Sequence, residues 1–306
     1  MIIIIIVGVL LFLTMFFLLA VEFRYQICLK RDNLAVRIIT KKVYGNLKKY
    51  DMDFSWWANV YSKNVSINSF DKLKLVGKVV ENDKTKFAIV VHGYGARGME
   101  MQNYAKMFCE FGYSVLVPDN RGHGDSEGKF VSMGYYDKFD ILKWIEFLNK
   151  TYNNPSIIVF GLSMGAATVC MLSGLELPTN VKAIVSDCAY TSAYDIFKTI
   201  HKKSVIFGIL PTMQLFNIYS KKRVGFYLKD ANAEVAVSKT KTPILFIHGN
   251  KDKFVPFYMH QKLYLSAPQN LREKYVVDGA VHATSIVVGG KEYREKVKSF
   301  IDKFVL

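Results

Sequence analysis

The stretch 157–167 reads Ile-Ile-Val-Phe-Gly-Leu-Ser-Met-Gly-Ala-Ala. A short apolar run rich in β-branched residues predicts a buried strand. The small residues that follow suit a helix packed close to a sheet. Gly161 and Gly165 stand two positions either side of Ser163, a spacing that predicts a sharp strand–turn–helix elbow with the serine at a strained point. Ser163 Oγ would then stand at the carboxyl end of a strand, beside a helix N-terminus that favours developing negative charge. With Gly and Ser each near ~7% of residues, the pattern arises by chance in roughly one chain in ten of this size. Its weight therefore depends on the rest of the chain.

The surrounding pattern is regular. Residues 65–70 and 73–80 predict two strands joined at Asp71-Lys72. Residues 87–91 form a continuous apolar run, as expected of a strand covered on both faces, and lead into His92-Gly93-Tyr94-Gly95. A helix over 99–110, a strand over 113–117 and an amphipathic helix over 136–151 follow. After the elbow come a strand at 183–186 ending in Asp187, and another at 243–247 ending in His248-Gly249-Asn250-Lys251-Asp252. A helix over 258–266, a strand over 274–277 leading to Val281-His282, and a helix over 291–304 complete the chain. This alternation predicts a doubly wound, mostly parallel sheet whose functional loops lie at the carboxyl ends of the strands. It breaks over 190–238, an aromatic and basic segment containing Phe197, Ile206, Phe207, Leu210, Met213, Phe216 and Tyr219. Its length and composition predict a helical cap rather than a connection.

Residues 2–21 carry no charge and would give about 30 Å of helix, enough to cross a bilayer core. No Lys or Arg precedes the run and no small-residue cleavage site follows, so it reads as an uncleaved anchor rather than a signal peptide. Arg24, Lys30, Arg31, Arg37, Lys41 and Lys42 follow it, which by the positive-inside rule places the large domain in the cytoplasm. The net charge of +15 is spread along the chain. It fits an anionic membrane surface better than a nucleic acid, which would call for basic residues clustered on one element. Trp56 and Trp57 read as a core-capping pair. The four cysteines have neither metal-ligand nor disulfide-framework spacing, and no metal or cofactor is expected.

A serine hydroxyl needs a base to take its proton, and the base needs a partner to hold its tautomer. Ser163, Asp252 and His282 follow three strands in the chain order expected of this topology. His282 is the expected general base and Asp252 its partner. Asp187 also ends a strand and is the rival acid. His92 and His248 are expected to hold loops. The backbone N–H groups of Met164 and Tyr94 are the expected oxyanion donors, which would free their side chains to shape a pocket.

Taken together, His92-Gly93-Tyr94-Gly95, Asp119-Asn120-Arg121-Gly122-His123-Gly124-Asp125-Ser126, Gly161-Leu162-Ser163-Met164-Gly165, His248-Gly249-Asn250-Lys251-Asp252 and Val281-His282 resemble the α/β-hydrolase superfamily. The branch they resemble is the membrane-anchored bacterial one, related to serine aminopeptidase-like and acylglycerol-lipase-like hydrolases. The resemblance implies the α/β-hydrolase fold and carries the catalytic roles onto Ser163, Asp252 and His282, and the oxyanion roles onto Tyr94 and Met164. Arg121, His123 and Asp125 carry over as loop-structuring residues. The expected organisation is a transmembrane anchor at 1–22, a juxtamembrane linker and leading helix at 23–64, and a hydrolase domain at 65–306 with its cap at about 190–238. The expected activity is cleavage of carboxylic esters, with hydrophobic or lipid-like acyl groups favoured. The alternatives are an aminopeptidase-type peptidase, with Asp195, Asp230 or Glu234 holding the substrate ammonium, and a non-catalytic membrane-associated binding module.

Overall fold

The computed structural model describes residues 1–34, 38, 55–201 and 212–305. The linker or leading helix expected over 35–53, apart from residue 38, and the cap residues Ile206, Phe207 and Leu210 lie outside them.

Eight strands form one sheet: β1 (Lys63–Asn68), β2 (Lys74–Val80), β3 (Lys86–Val91), β4 (Ser114–Pro118), β5 (Ser156–Leu162), β6 (Val181–Asp187), β7 (Ile244–Gly249) and β8 (Arg272–Val277). Their spatial order is β1-β2-β4-β3-β5-β6-β7-β8. The hairpin strand β2 is antiparallel to β1 and β4, and every other pairing is parallel. The buried run of β3 shows why the sheet needs cover on both sides. Phe87, Ile89 and Val91 enter one core, while Ala88 and Val90 enter the other. In β5, Ile157 and Val159 face the first core and Ile158 and Phe160 the second. This is the period-two alternation of a strand with both faces apolar.

Helices α2 (Trp56–Asn59), α3 (Gln102–Glu110) and α10 (Ser285–Asp302) belong to the second face. Trp56 and Trp57 pack there half-buried, and Trp57 Nε1 donates to the Met99 carbonyl at 2.6 Å. Helices α4 (Asp137–Thr151), α5 (Met164–Leu172) and α9 (Phe257–Ser266) cover the first face. The final helix α10 starts at Ser285, earlier than residue 291 as the periodicity predicts. It is kinked at Gly290, whose φ of 49° and ψ of −122° break the helical path.

Between β6 and β7 the chain makes the excursion expected of a cap. It leaves and returns at an antiparallel bridge between Ser192 and Asn232, with Ala193 N donating to the Ala231 carbonyl at 2.9 Å. Helices α6 (Ala193–His201), α7 (Thr212–Val224) and α8 (Ala233–Val237) belong to this segment. Asn232 caps α8 by accepting from Val235 N at 2.9 Å.

Helix α1 (Ile2–Cys28) is the one described helix long and apolar enough to cross a membrane, with a mean hydropathy of 3.3. It runs past residue 22, the expected end of the anchor. Val21, Arg24, Tyr25 and Cys28 are buried against the domain. On α7, the Tyr219 hydroxyl donates to the Glu22 carboxylate, and Arg223 lies 4.6 Å from the Tyr25 ring centroid. Helices α1 and α7 therefore share a packed contact.

Arg121 joins the edge hairpin to the sheet. It is 1% exposed and makes a bidentate pair with Asp140, at 2.6 and 2.7 Å, and a second with Asp71, at 2.9 and 3.0 Å. Its guanidinium also lies between the rings of Phe70 and Tyr136. Removing one partner of a buried pair strands the other charge. Arg121→Ala leaves Asp140 buried without its cation and is expected to cost about 3–5 kcal/mol, read as a lowered thermal unfolding midpoint. An unchanged midpoint would contradict this.

Candidate active site

Strand β5 ends at Leu162, and Ser163 turns the chain into α5 with φ 55° and ψ −112°. The two flanking glycines make that turn possible. A Cβ on Gly161 would lie 2.3 Å from the Gly165 carbonyl oxygen, and one on Gly165 would lie 2.2 Å from the Val91 carbonyl oxygen. The helix thus meets β5 and β3 backbone to backbone. Ser163 N donates to the Asp187 carbonyl at 2.8 Å, tying the elbow to β6. The first N–H groups of α5 lack intrahelical acceptors, and the Met164 N–H is the first of them.

Three loops bring the remaining groups together. Ser163 Oγ lies 2.9 Å from His282 Nε2, and His282 Nδ1 lies 2.7 Å from Asp252 Oδ2. Asp252 is nearly fully buried. Its Oδ1 accepts from Phe254 N and Val255 N at 2.8 and 2.9 Å. Burial raises the Asp252 pKa, but His282 and His248 outweigh that effect and hold the carboxyl below its usual range. A carboxylate on Nδ1 selects the Nδ1–H tautomer, leaving Nε2 free to accept the serine proton. Gly93 lies against the serine, since a Cβ there would come 3.3 Å from Ser163 Cβ. The loop bearing the Tyr94 N–H is therefore beside the hydroxyl. Geometrically, this arrangement can move a proton from Ser163 toward His282 in a site where the serine keeps only 9% exposure.

Asp187, the rival acid, is used elsewhere. Its carboxylate accepts from Ser285 Oγ and Tyr293 OH, both at 3.0 Å, and burial pushes it up to about 6 against those bonds. His92 donates from Nδ1 to the Gly93 carbonyl at 2.7 Å and accepts at Nε2 from Asn120 N at 2.9 Å. Burial lowers its pKa to about 3, so it stays neutral and joins two loops. His123 accepts from Gly95 N at 3.1 Å. Asp125 offers its backbone N–H to Asp119, which also receives Gly98 N.

Two details escape sequence reasoning. His248 holds its own loop through the Val255 carbonyl at 2.9 Å, as expected, but its Nε2 also lies 3.4 Å from Asp252 Oδ2. The motif carries the four-residue spacing, yet only the turn brings the ring back to the carboxylate. The Tyr94 side chain, expected to be free to shape a pocket, is instead bound to Cys28 and Asn33. Among the described residues, Cys188, Asp252 and His282 place metal-type donor atoms within 4.8 Å of one another. Burial pushes the Cys188 thiol far above its usual range, so it presents S–H, and the other two already bond each other. That donor set does not suit a resident cation.

The esterase Pf2001 of Pyrococcus furiosus superposes with a TM-score of 0.66 at 25% identity, covering 82% of this chain and 96% of that one. A family model described as serine aminopeptidase, S33, matches residues 83–215. The chain belongs to the α/β-hydrolase superfamily. Among relatives of this hydrolase, the Bacillus subtilis (strain 168) protein YqkD is 27% identical over 225 residues, 73% of each chain. The lysophosphatidylserine lipase ABHD12 of Macaca fascicularis is 30% identical over 221 residues, covering 70% of this chain and 51% of the lipase. The hydrolase spans about half the length of such lipase relatives. In sequence and fold it is therefore similar to proteins named as esterases and lipases within that superfamily.

The backbone at Ser163 gives a test of the elbow. A side chain held at positive φ costs about 1–3 kcal/mol, whereas a glycine there loses about 0.5–1 kcal/mol through chain entropy. Ser163→Gly is therefore expected to unfold at a higher temperature than Ser163→Ala, by a margin of about 1 kcal/mol. Equal or reversed midpoints would show that the elbow is unstrained.

Proposed function

We propose that the protein is a membrane-anchored serine hydrolase that cleaves carboxylic esters through an acyl-enzyme on Ser163. The observation that carries the proposal is the chain of contacts from Ser163 Oγ to His282 Nε2 at 2.9 Å and from His282 Nδ1 to buried Asp252 at 2.7 Å. In this reading Ser163 Oγ attacks the ester carbonyl as His282 Nε2 takes its proton. Asp252 stabilises the resulting imidazolium. The oxyanion accepts hydrogen bonds from the Met164 and Tyr94 N–H groups, donors of a kind worth about 3–4 kcal/mol each. Collapse of the intermediate expels the alcohol, which receives the proton from His282. Water, deprotonated by the same imidazole, then attacks the acyl-enzyme. It releases the carboxylic acid and restores Ser163.

Hydrophobic or lipid-like acyl groups are the favoured substrates. The packing of anchor helix α1 against cap helix α7 supports this, because it holds the domain beside a lipid phase. We further propose that α1 spans the cell membrane once and that the domain of residues 65–306 faces the cytoplasm, because basic residues follow the span. The match to the serine aminopeptidase family over residues 83–215 favours a peptidase as the second reading. That activity calls for a carboxylate to hold the substrate ammonium. Asp195 accepts from Thr191 Oγ1 at 2.9 Å and Asp230 from Tyr227 N at 3.0 Å, both local uses.

A fluorophosphonate probe is expected to label the protein at Ser163, and Ser163→Ala is expected to abolish labelling and lower ester turnover by at least about 10³-fold. Undiminished labelling of the variant would sink the nucleophile assignment. Turnover of p-nitrophenyl esters of rising chain length should exceed that of amino-acid anilides, and the reverse order would favour the peptidase. Extraction by alkaline carbonate would contradict the membrane span.

A further inference from the structure

The residues that follow the anchor helix turn back into the domain instead of leading away from it. Leu29 has no exposed surface, and its carbonyl accepts from Val131 N at 2.6 Å. Lys30 forms an antiparallel bridge with Phe130, and Arg31 N donates to the Lys129 carbonyl at 3.1 Å. The Arg31 guanidinium donates to the Gly124 and Ser126 carbonyls, both at 2.7 Å. Residues 28–33 thus form a strap welded to the 120–131 loop. The same strap takes hold of Tyr94. The Tyr94 hydroxyl oxygen lies 2.7 Å from the Cys28 carbonyl oxygen and 3.0 Å from Asn33 Oδ1, two acceptors for its one proton. Asn33 is itself oriented by donating from Nδ2 to the Lys30 carbonyl at 2.6 Å.

We propose that the end of the membrane helix, through Cys28 and Asn33, positions the Tyr94 backbone N–H beside Ser163, making the anchor a working part of the hydrolase as well as its tether. The inference rests on reading Ser163 as the nucleophile and the Tyr94 N–H as an oxyanion donor. The short loop 92–95 is held at every residue. His92 is fixed by Asn120, Gly93 lies against the serine, and the Gly95 N–H is fixed by His123. Tyr94 is fixed by its hydroxyl to the strap. The partners of His92 and Gly95, Asn120 and His123, precede the residues that Arg31 clamps, so the strap constrains both sides of the Tyr94 peptide. An oxyanion donor acts only when it is already aimed at the position the oxygen will occupy. Displacement by an ångström can cost on the order of 100-fold in rate. Tyr94 is a positioning residue through its side chain, separate from the role of its backbone.

The test uses the full chain in detergent, with a water-soluble short-chain p-nitrophenyl ester as probe, so that lipid access plays no part. Tyr94→Phe removes the strap contact and keeps the backbone N–H. It is expected to lower kcat about tenfold, a partial loss of one donor's alignment, with KM unchanged within twofold and the fluorophosphonate labelling rate slowed in proportion. Asn33→Ala should lower kcat in the same direction by about threefold. The double variant should lose no more than Tyr94→Phe alone, because both substitutions break one contact. If Ser163→Ala is inactive while Tyr94→Phe keeps kcat within twofold, or loses activity through KM alone, the strap inference fails and the reading of the site stands. If Ser163→Ala stays active, the reading of the site fails and the inference falls with it. Should Tyr94→Phe not fold, Asn33→Ala decides, and an unchanged kcat overturns the inference.

Discussion

The close approach of α5 to β5 and β3 conditions everything around the site. Gly165 has room for a hydrogen and nothing larger beside the Val91 carbonyl, and Gly161 stands in the same relation to Gly165. This contact lets a helix start directly on top of the sheet and places the intervening residue at positive φ. It sets Ser163 Oγ, the first free N–H of α5 and the end of β3 within one short reach of each other. A larger residue at either glycine would push the helix away and separate these groups. The strain at Ser163 is local, and the surrounding sheet offsets it through apolar cores on both faces.

Around the elbow, the buried groups that hold the loops are paired. Arg121 meets two carboxylates and two aromatic faces, His92 and His123 act as neutral struts between loops, and Asp187 is held by Ser285 and Tyr293. Unpaired, each of these groups would cost on the order of 1–3 kcal/mol or more. Paired, they give the loops at the carboxyl end of the sheet defined positions without needing large side chains there. Asp252 follows the same rule, with backbone N–H groups on one oxygen and two imidazoles on the other.

Helix α1 adds an element that a free-standing hydrolase domain would lack. Helix α1 has one character over its exposed apolar length and another over its last turns, where Val21, Arg24, Tyr25 and Cys28 are buried against the domain. The contact of α1 with α7 and the strap over residues 120–131 tie α1 to the 190–238 segment and to the loop beside Ser163. A cut made near Lys30 to obtain a soluble domain would remove Cys28 and Leu29, and with them an acceptor of the Tyr94 hydroxyl and a buried core residue.

Much of this architecture was legible in the residues themselves. The apolar runs of β3, β5 and β7 and the glycine spacing around Ser163 are local patterns, and the order of Ser163, Asp252 and His282 is read directly along the chain. A strand covered on both faces and a sharp turn leave their mark in consecutive residues. Other features depend on chain segments far apart in sequence. Asp187 ends β6 and Asp252 follows β7 by three residues, so each lies beside the carboxyl end of a strand. Only the fold aims Asp252 at His282 and gives Asp187 to Tyr293 and Ser285. The residue 22 boundary expected for the anchor follows from hydropathy, which senses lipid-like character. The end of α1 at Cys28 follows from burial against a cap that hydropathy cannot see. The hydroxyl of Tyr94 meets Cys28 across 66 residues, a contact without a sequence period. The sequence by itself determined the strand–helix alternation, the elbow and the chemical character of its groups, because these are set by neighbours along the chain. The tertiary structure alone decided what holds Asp187 and how helix α1 meets the site, because those choices are made by packing between distant segments.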